Sequence, residues 1–543
     1  MPVDRRAFLR DAATLGAAVA ATPALTLADA TTPDAQPVAP RAIPPEDTRS
    51  VAELRAAMTR GALTSRALTQ ACLERIAAID AAGPRVNSVI ERNPDAVQIA
   101  ELLDRERAAG RVRGPLHGIP ILIKDNIDTF DQMRTSAGSL ALATSRAARD
   151  AFVVERLRAA GAVLLGKTNL SEWANFRSTR STSGWSSRGG QTRNPHVLDR
   201  NPCGSSSGTG AAIASGLAPL GIGTETDGSI MCPSGICGIV GVKPTVGLWS
   251  RAGIIPISAS QDTAGPMTRH VADAAELLAA LAGPDARDPV SAASAAYVPP
   301  AVDTILRTDG LRGVRLGVAR NLAGFDPRVD ALFDEALRAL RDAGAVLVDP
   351  ANVANAGKFG DAEGDVLYYE FKAGLEAYFA TLGPTAPLRT LDDLLAYNER
   401  ERTRVMPWFG QEHVERAARK GPLTDAAYRA ARESSYRMAA IEGISATLAV
   451  HRLDAIVFPT NGPAWVTDLV NGDRYTGGDS SFAAVAGYPS VTVPMGFVQS
   501  LPIGVSFVGA AWNDFLLLRF AYAFEQATRA RRAPRYLASL GGA

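Results

Sequence analysis

Two stretches of the chain decide the fold: residues 202–216 read PCGSSSGTGAAIASG, and residues 219–235 read PLGIGTETDGSIMCPSG. The first is rich in serine, glycine and alanine and predicts a small-residue helix, whereas the second opens with an apolar run that predicts a short strand. Ser205 and Ser229 are therefore separated by one helix and one strand. Far upstream, residues 121–126 read ILIKDN, so Lys124 ends a strand-like apolar run.

Strand-like and helical patterns alternate around these motifs. Residues 118–123 form a continuous apolar run, which predicts a strand buried on both faces, and a helical pattern then leads into a second apolar run at residues 162–165. This alternation is typical of a layered α/β sheet, in which functional sites gather at the carboxyl ends of strands and at helix amino termini. Lys124 and the loop 204–210 are both predicted to lie there.

The region from about residue 350 to about residue 450 has a different character. Its patterns are helical and carry many aromatic side chains, so it is predicted to be a helical insertion in a single domain that spans residues 47–543. Two interpretations of the aromatic residues stay open. They form the cores between helices, or some of them line a substrate cleft that the insertion covers.

The amino terminus predicts export. Arg5 and Arg6 precede a weakly apolar, alanine-rich stretch, and Ala28 to Ala30 form a cleavage site, which is the layout of a twin-arginine signal over residues 1–30. Threonines and a proline make the stretch too polar for a good membrane anchor, so a periplasmic protein without stable membrane association is expected. Residues 31–46 are rich in proline and predict a linker.

Charge and residue counts exclude several classes of function. The net charge of +1 argues against a nucleic-acid partner, and the five histidines are scattered without metal-ligand spacing, so no metal or organic cofactor is expected. A monomer or weak homo-oligomer fits the composition. The four cysteines favour small buried thiols, although a disulfide among Cys203, Cys232 and Cys237 stays an alternative.

A hydrolytic site can be built from two serines and one lysine. A serine hydroxyl is a weak nucleophile until a base takes its proton, and a buried lysine becomes such a base when desolvation lowers its pKa. The apolar run before Lys124 supplies that setting. A second serine between nucleophile and lysine accepts one proton while it donates another. Glycines near both serines let backbone N–H groups approach a substrate, and Thr226, Asp227 and Gly228 are the candidate oxyanion and substrate-binding residues.

With these motifs, the chain resembles the amidase signature family, whose serine- and glycine-rich region, following GTDTGGS-like segment and upstream lysine align with this sequence. Further matching segments are GKTNLSEW from Gly166, GVKPTVGLWS from Gly241 and GYPSVTVPMGF from Gly487. The resemblance implies a layered α/β/α fold with a large mixed, mostly parallel central sheet. It also implies that Ser229 is the acylated nucleophile, that Ser205, preceded by a cis peptide, relays the proton, and that Lys124 is the base.

Three positions depart from the family pattern: Cys203 and Asp227 replace glycines, and Met231 stands where many members have arginine. The TETDGSI-CP form resembles the peptide-amidase branch, which implies a peptide or small-molecule amide as substrate and a C-terminal peptide amide as the leading candidate. Two alternatives stay open. They are an amidotransferase subunit that acts on misacylated tRNA and a broad aliphatic or aryl amide hydrolase.

Overall fold

The computed structural model describes residues 48–383 and 386–541, which belong to one compact unit. The predicted signal (residues 1–30) and linker (residues 31–46) lie outside the described residues. No helix among the described residues has both the length and the apolar character needed to cross a bilayer.

A single large sheet organises the fold. Its strands, in chain order, are β1 Val89–Arg92, β2 Pro120–Lys124, β3 Val163–Thr168, β4 Leu220–Glu225, β5 Val240–Lys243, β6 Thr263–Thr268, β7 Arg315–Val318, β8 Val346–Val348, β9 Ala455–Pro459, β10 Ser490–Val498 and β11 Leu501–Val508. Their spatial order is β1-β3-β2-β4-β6-β5-β10-β11-β9-β7-β8. Strands β2, β3, β4 and β6 are buried along their whole length, as expected for a sheet covered on both faces.

The layered α/β class is confirmed, but the expectation of a mostly parallel sheet is wrong. Six of the ten strand pairs in the described sheet are antiparallel, and the four parallel pairs join β2 to β3 and β4, and β7 to β8 and β9. The reason is connectivity. Strand β6 returns between β4 and β5 and runs antiparallel to both, and β10 and β11 form a tight hairpin.

Helices cover both faces of the sheet. They are α1 Val51–Thr59, α2 Ser65–Arg75, α3 Ala96–Ala108, α4 Phe152–Ala159, α5 Ser207–Ala214, α6 Met231–Cys237, α7 Val271–Leu281, α8 Val302–Ile305, α9 Pro327–Asp342, α10 Gly360–Thr381, α11 Leu391–Arg400, α12 Arg402–Val405, α13 Glu412–Ala418, α14 Ala426–Tyr436, α15 Ala446–His451, α16 Ser481–Ala486 and α17 Asp514–Thr528. A capping box of Ser50 and Glu53 starts α1. The small-residue helix α5 is fully buried, because its short side chains let it pack directly against β4.

Helices α10 to α15 lie where the sequence predicts the insertion. Their aromatic residues mainly form a separate core, in which Phe371 and Phe379 pack with Trp173 from the main body. Trp408 is the exception, because 47% of its surface is exposed. Helix α10 also contacts the loop before β6. The Glu370 carboxylate accepts hydrogen bonds from Ser258 Oγ at 2.5 Å and from the Ser260 N–H at 2.9 Å.

Candidate active site

Lys124 ends the buried strand β2, and its amine is fully enclosed. Three oxygen atoms surround Nζ: Ser205 Oγ at 2.8 Å, Thr224 Oγ1 at 2.9 Å and the Thr224 carbonyl at 3.1 Å. Burial lowers the pKa of Lys124 to about 7, while the negative charges of Asp262 and Glu225 oppose the change. Near neutral pH, a large fraction of this lysine is therefore uncharged.

The three contacts fit a neutral amine. A charged lysine donates to all three oxygens, whereas a neutral lysine, with two N–H donors and one lone pair, donates to both Thr224 oxygens and accepts a hydrogen bond from the Ser205 hydroxyl. The neighbouring Asp125 does not pair with Lys124. Its carboxylate accepts hydrogen bonds from Ser136 Oγ and Gly138 N and forms an ion pair with Arg188.

Ser205 and Ser229 lie on two loops that are joined directly. The Ser206 N–H donates to the Ser229 carbonyl at 3.1 Å, and the Ser206 side chain donates to the Thr224 carbonyl at 3.0 Å. The peptide bond between Gly204 and Ser205 is cis, as the family resemblance implies. Both serines are buried, since Ser205 has no exposed surface and Ser229 is 7% exposed.

The loop before Ser229 presents unused donors. Within the described chain, no acceptor takes the backbone N–H groups of Asp227, Gly228 or Ser229. Gly228 has φ = +74°, a conformation that glycine adopts without strain, and a Cβ there would lie 2.8 Å from Ser480 Oγ. Thr226 fixes the start of the loop, because its hydroxyl donates to Asp262 Oδ1 at 2.6 Å. Adjacent free N–H groups of this kind can hold an oxyanion.

An acidic cleft of about 330 Å³ opens beside this loop, and its wall includes Gly204, Asp227, Gly228, Asp473 and Asp479. The hydroxyls of Ser480 and Ser481 donate to the Asp227 carboxylate. Burial, together with the charge of Asp227, raises the pKa of Asp479 to about 6. The same two causes hold the pKa of Glu363, on α10, well above its usual range. Through its hydrogen bonds with Ser480 and Ser481, Asp227 connects the loop before Ser229 to the start of α16.

The cysteines need a correction. Cys203 and Cys232 form a disulfide with Cα atoms 6.0 Å apart, so the expectation of buried thiols is wrong for this pair. Packing of the two serine loops against each other brings the two cysteines together, a proximity that spacing in the sequence does not reveal. Cys72 and Cys237 remain buried thiols.

Several histidine side chains form hydrogen bonds with neighbouring groups. His117 and His196 contact backbone carbonyl groups at 3.0 Å, and His413 contacts the Tyr368 hydroxyl at 2.8 Å. Within residues 48–383 and 386–541, no set of histidine, cysteine and acidic side chains is placed to hold a metal ion.

Sequence reasoning missed three residues around the amine. Thr224 supplies two of the three oxygens near Nζ, Asn126 donates to Thr224 Oγ1 at 3.0 Å, and Asp262 anchors Thr226. A signal was available for two of them. Asn126 follows Lys124 by two positions in the ILIKDN motif, and Thr224 lies one position inside the carboxyl end of β4, the neighbour of β2.

Comparison with known proteins agrees with this geometry. A family model described as Amidase matches residues 67–518. The solved peptide amidase of Stenotrophomonas maltophilia is 54% identical, covers 90% of this chain and 99% of its own, and superposes with a TM-score of 0.85. An amidase family protein of Bacillus anthracis is 35% identical, with 90% and 92% covered and a TM-score of 0.81.

A relative with a different described role is also similar. A glutamyl-tRNA(Gln) amidotransferase subunit of Symbiobacterium thermophilum is 37% identical over 513 residues, which are 91% of this chain and 99% of that protein. The family model nevertheless spans most of the chain, and the solved amidases match nearly their whole length. This chain belongs to the amidase family and is an amide-hydrolysing enzyme.

Proposed function

We propose that this amidase removes the terminal amide of peptides through an acyl-enzyme formed on Ser229, with Ser205 as proton relay and Lys124 as base. The observation that carries the proposal is the 2.8 Å contact between Lys124 Nζ and Ser205 Oγ in a pocket that lowers the pKa of the lysine to about 7. The 54% identity to a peptide amidase supports the substrate class.

The reaction then runs in two halves. Ser229 Oγ attacks the carboxamide carbon, its proton passes to Ser205 Oγ, and the Ser205 proton passes to Lys124 Nζ. The backbone N–H groups of Asp227, Gly228 and Ser229 hold the oxyanion. When the C–N bond breaks, the relay returns a proton to the leaving NH₂, which departs as ammonia. Water then attacks the acyl carbon and gives one proton to the same relay, the acyl-oxygen bond to Ser229 breaks, and the relay returns that proton to Ser229 Oγ.

The test measures ammonia release by the purified chain from N-acetylated peptide amides, with mass spectrometry of the quenched enzyme. A covalent adduct on Ser229 and release of ammonia are expected. An adduct on a different side chain, or hydrolysis that persists in Ser229→Ala, contradicts the proposed roles.

The amidotransferase alternative has support from the 37% identity to an amidotransferase subunit over nearly its full length. The two functions separate in one experiment, because a polypeptide that works in a complex needs its partners. Efficient ammonia release from peptide amides by the isolated chain favours the amidase. Activity that appears only with partner subunits and charged tRNA favours the alternative.

We also propose that the protein is exported, cleaved near Ala30 and active in the periplasm. The twin-arginine layout supports this, and so does the Cys203–Cys232 disulfide, since such bonds persist in oxidising compartments. Replacing Arg5 and Arg6 with lysine is expected to hold the precursor in the cytoplasm. Unchanged periplasmic activity of that variant contradicts the proposal.

A further inference from the structure

A second cavity, of about 190 Å³, borders the residues just before Asp227 and Gly228, which belong to the acidic cleft. Thr224 and Thr226 belong to its wall, so it borders both the buried lysine and the start of the loop that leads to Ser229. We call it the apolar chamber. Its wall also includes Asn126, Ala252, Ile254, Ile255, Ile257 and Asp262.

The wall is mainly apolar, and its charged groups are already paired. Arg251 binds Asp288 at 2.7 Å, and Arg287 binds Glu155 at 2.7 Å. Asp262 accepts from Thr226 Oγ1 and from the backbone N–H groups of residues 257 and 258. The chamber therefore offers no exposed charge partner to a ligand, and an apolar group is what it can bury favourably. An apolar cavity of about 150 Å³ is large enough for benzene.

One polar atom in the wall lacks a partner. Asn126 is only 2% exposed, and its Nδ2 donates to Thr224 Oγ1 at 3.0 Å, but its Oδ1 accepts no hydrogen bond from the described chain. A buried carbonyl oxygen without a donor destabilises the structure, and a ligand N–H that bonds to it removes that cost. A ligand that fits the chamber thus carries an apolar body and one N–H donor.

We propose that the apolar chamber binds the substrate residue whose carboxamide is cleaved, with the side chain of that residue among Ile254, Ile255 and Ile257 and its backbone N–H donated to Asn126 Oδ1. The side chain and the backbone N–H are both attached to the carbon next to the scissile carbonyl. They would therefore enter the chamber when that carbonyl lies near Thr226, which is part of the chamber wall. The inference rests on the proposed function and narrows its substrates to peptide amides that end in a large apolar residue. Asn126 is a substrate-binding residue in this arrangement.

The first experiment compares ammonia release from acetyl-Gly-Phe-NH₂ and acetyl-Gly-Gly-NH₂. Wild type is expected to favour the first substrate by about 30-fold or more in kcat/KM. Ala252→Phe, which fills the chamber, is expected to lower kcat/KM for the phenylalaninamide by about the same factor and for the glycinamide by less than about threefold. Ala108→Phe, on the exposed side of α3, is the matched control and is expected to change neither.

The second experiment tests the hydrogen bond to Asn126 in the wild type and in Asn126→Ala, and it does not depend on the Ala252→Phe variant. An ester analogue of the first substrate, in which oxygen replaces the N–H of the phenylalanine residue, is expected to lose about tenfold in kcat/KM. In Asn126→Ala the amide and ester analogues are expected to react equally, because the acceptor is gone.

The outcomes separate the two proposals. Wild type that releases no ammonia from any peptide amide ends the proposed function and this inference together. Wild type that cleaves both substrates equally well, or Ala252→Phe that lowers both equally, overturns the inference alone and leaves the amidase function standing. An ester analogue that loses as much in Asn126→Ala as in wild type removes Asn126 from substrate binding.

Discussion

Lys124 and Lys167 are two fully buried lysines on neighbouring parallel strands, and they differ in what surrounds the amine. In the register of β2 and β3, Lys124 pairs with Thr168 and Ile123 pairs with Lys167. Because successive residues of a strand face opposite sides, the two amines lie on opposite faces of the sheet. A shift of one position therefore separates a candidate base from a lysine in another environment.

The two environments explain the difference in chemistry. Lys167 Nζ donates to the Ile127 carbonyl at 2.5 Å and to Thr135 Oγ1 at 3.0 Å, and burial lowers its pKa while the negative charges of Asp125 and Asp128 oppose the change. Both amines contact a hydroxyl, but the two hydroxyls lead to different places. Ser205 lies beside Ser206, whose N–H is bonded to the Ser229 carbonyl, whereas the Thr135 hydroxyl donates to the Ile127 carbonyl at 3.4 Å. Burial and a neighbouring hydroxyl are therefore not sufficient for a base, because the hydroxyl must also lie next to the proposed nucleophile.

The largest effect is expected at Ser229, the far end of the proposed proton relay from Lys124. Ser229→Ala removes the proposed nucleophile, so kcat is expected to fall by about 10⁴-fold or more while the thermal unfolding midpoint changes little. Ammonia release and calorimetry measure the two quantities. Turnover near the wild-type level would assign the acyl-enzyme to a different residue.

The next test sets the two lysines against each other. Lys124→Met is expected to lower kcat by about 10³-fold or more, because no histidine is placed to replace the base. Lys167→Met is expected to keep the specific activity of the folded enzyme within a few-fold, yet to lower stability by about 3 kcal/mol or more, because it leaves Asp125 and Asp128 without the amine. Activity normalised to folded protein, together with urea unfolding, distinguishes the two. Equal losses of activity in the two variants would mean that the position of a lysine on one face of the sheet or the other does not decide whether it takes part in catalysis.

The sequence predicted the helix after Ser205, the strand that ends at Lys124 and the strand before Thr226, because each has a clear apolar pattern. It did not predict β6, whose residues read TAGPMT. Pro266 lies in the middle of the sheet, where proline is disfavoured because it cannot donate to a ladder. Tertiary packing overrides the local preference at this strand. Because β6 runs antiparallel to β4 and β5, a prediction that omits it overestimates the parallel share of the sheet.

The site was predictable to a similar extent. The structure places Lys124 Nζ 2.8 Å from Ser205 Oγ, two residues already selected from the sequence as base and relay. Asp262 and Glu363 come from distant segments, so only the folded chain places them near Thr226 and Asp227. The same applies to the Cys203–Cys232 disulfide.

The pH dependence tests the pKa of the base. In the proposed mechanism Lys124 acts as a neutral base, and burial lowers its pKa to about 7, so kcat/KM is expected to rise with pH through about 7 and to fall about tenfold per unit below it. Asp262 favours the charged lysine, and Asp262→Asn is therefore expected to move this limb to lower pH. Asp473→Asn, which removes a carboxylate from the acidic cleft, is the control and is expected to leave the limb in place. A limb that does not move in Asp262→Asn, or that moves equally in both variants, contradicts this assignment.

The smallest expected effect concerns one hydroxyl beside each lysine. Thr224 Oγ1 lies 2.9 Å from Lys124 Nζ, and Thr135 Oγ1 lies 3.0 Å from Lys167 Nζ, so valine at either position removes one equivalent contact with little change in shape. Thr224→Val is expected to lower kcat about tenfold, because the neutral amine loses an acceptor that aims its lone pair at Ser205. Thr135→Val is expected to leave kcat within about twofold, because Lys167 serves no proton transfer. If both variants lowered kcat alike, the two hydroxyls would act through stability, and the aim of the Lys124 lone pair would not depend on Thr224.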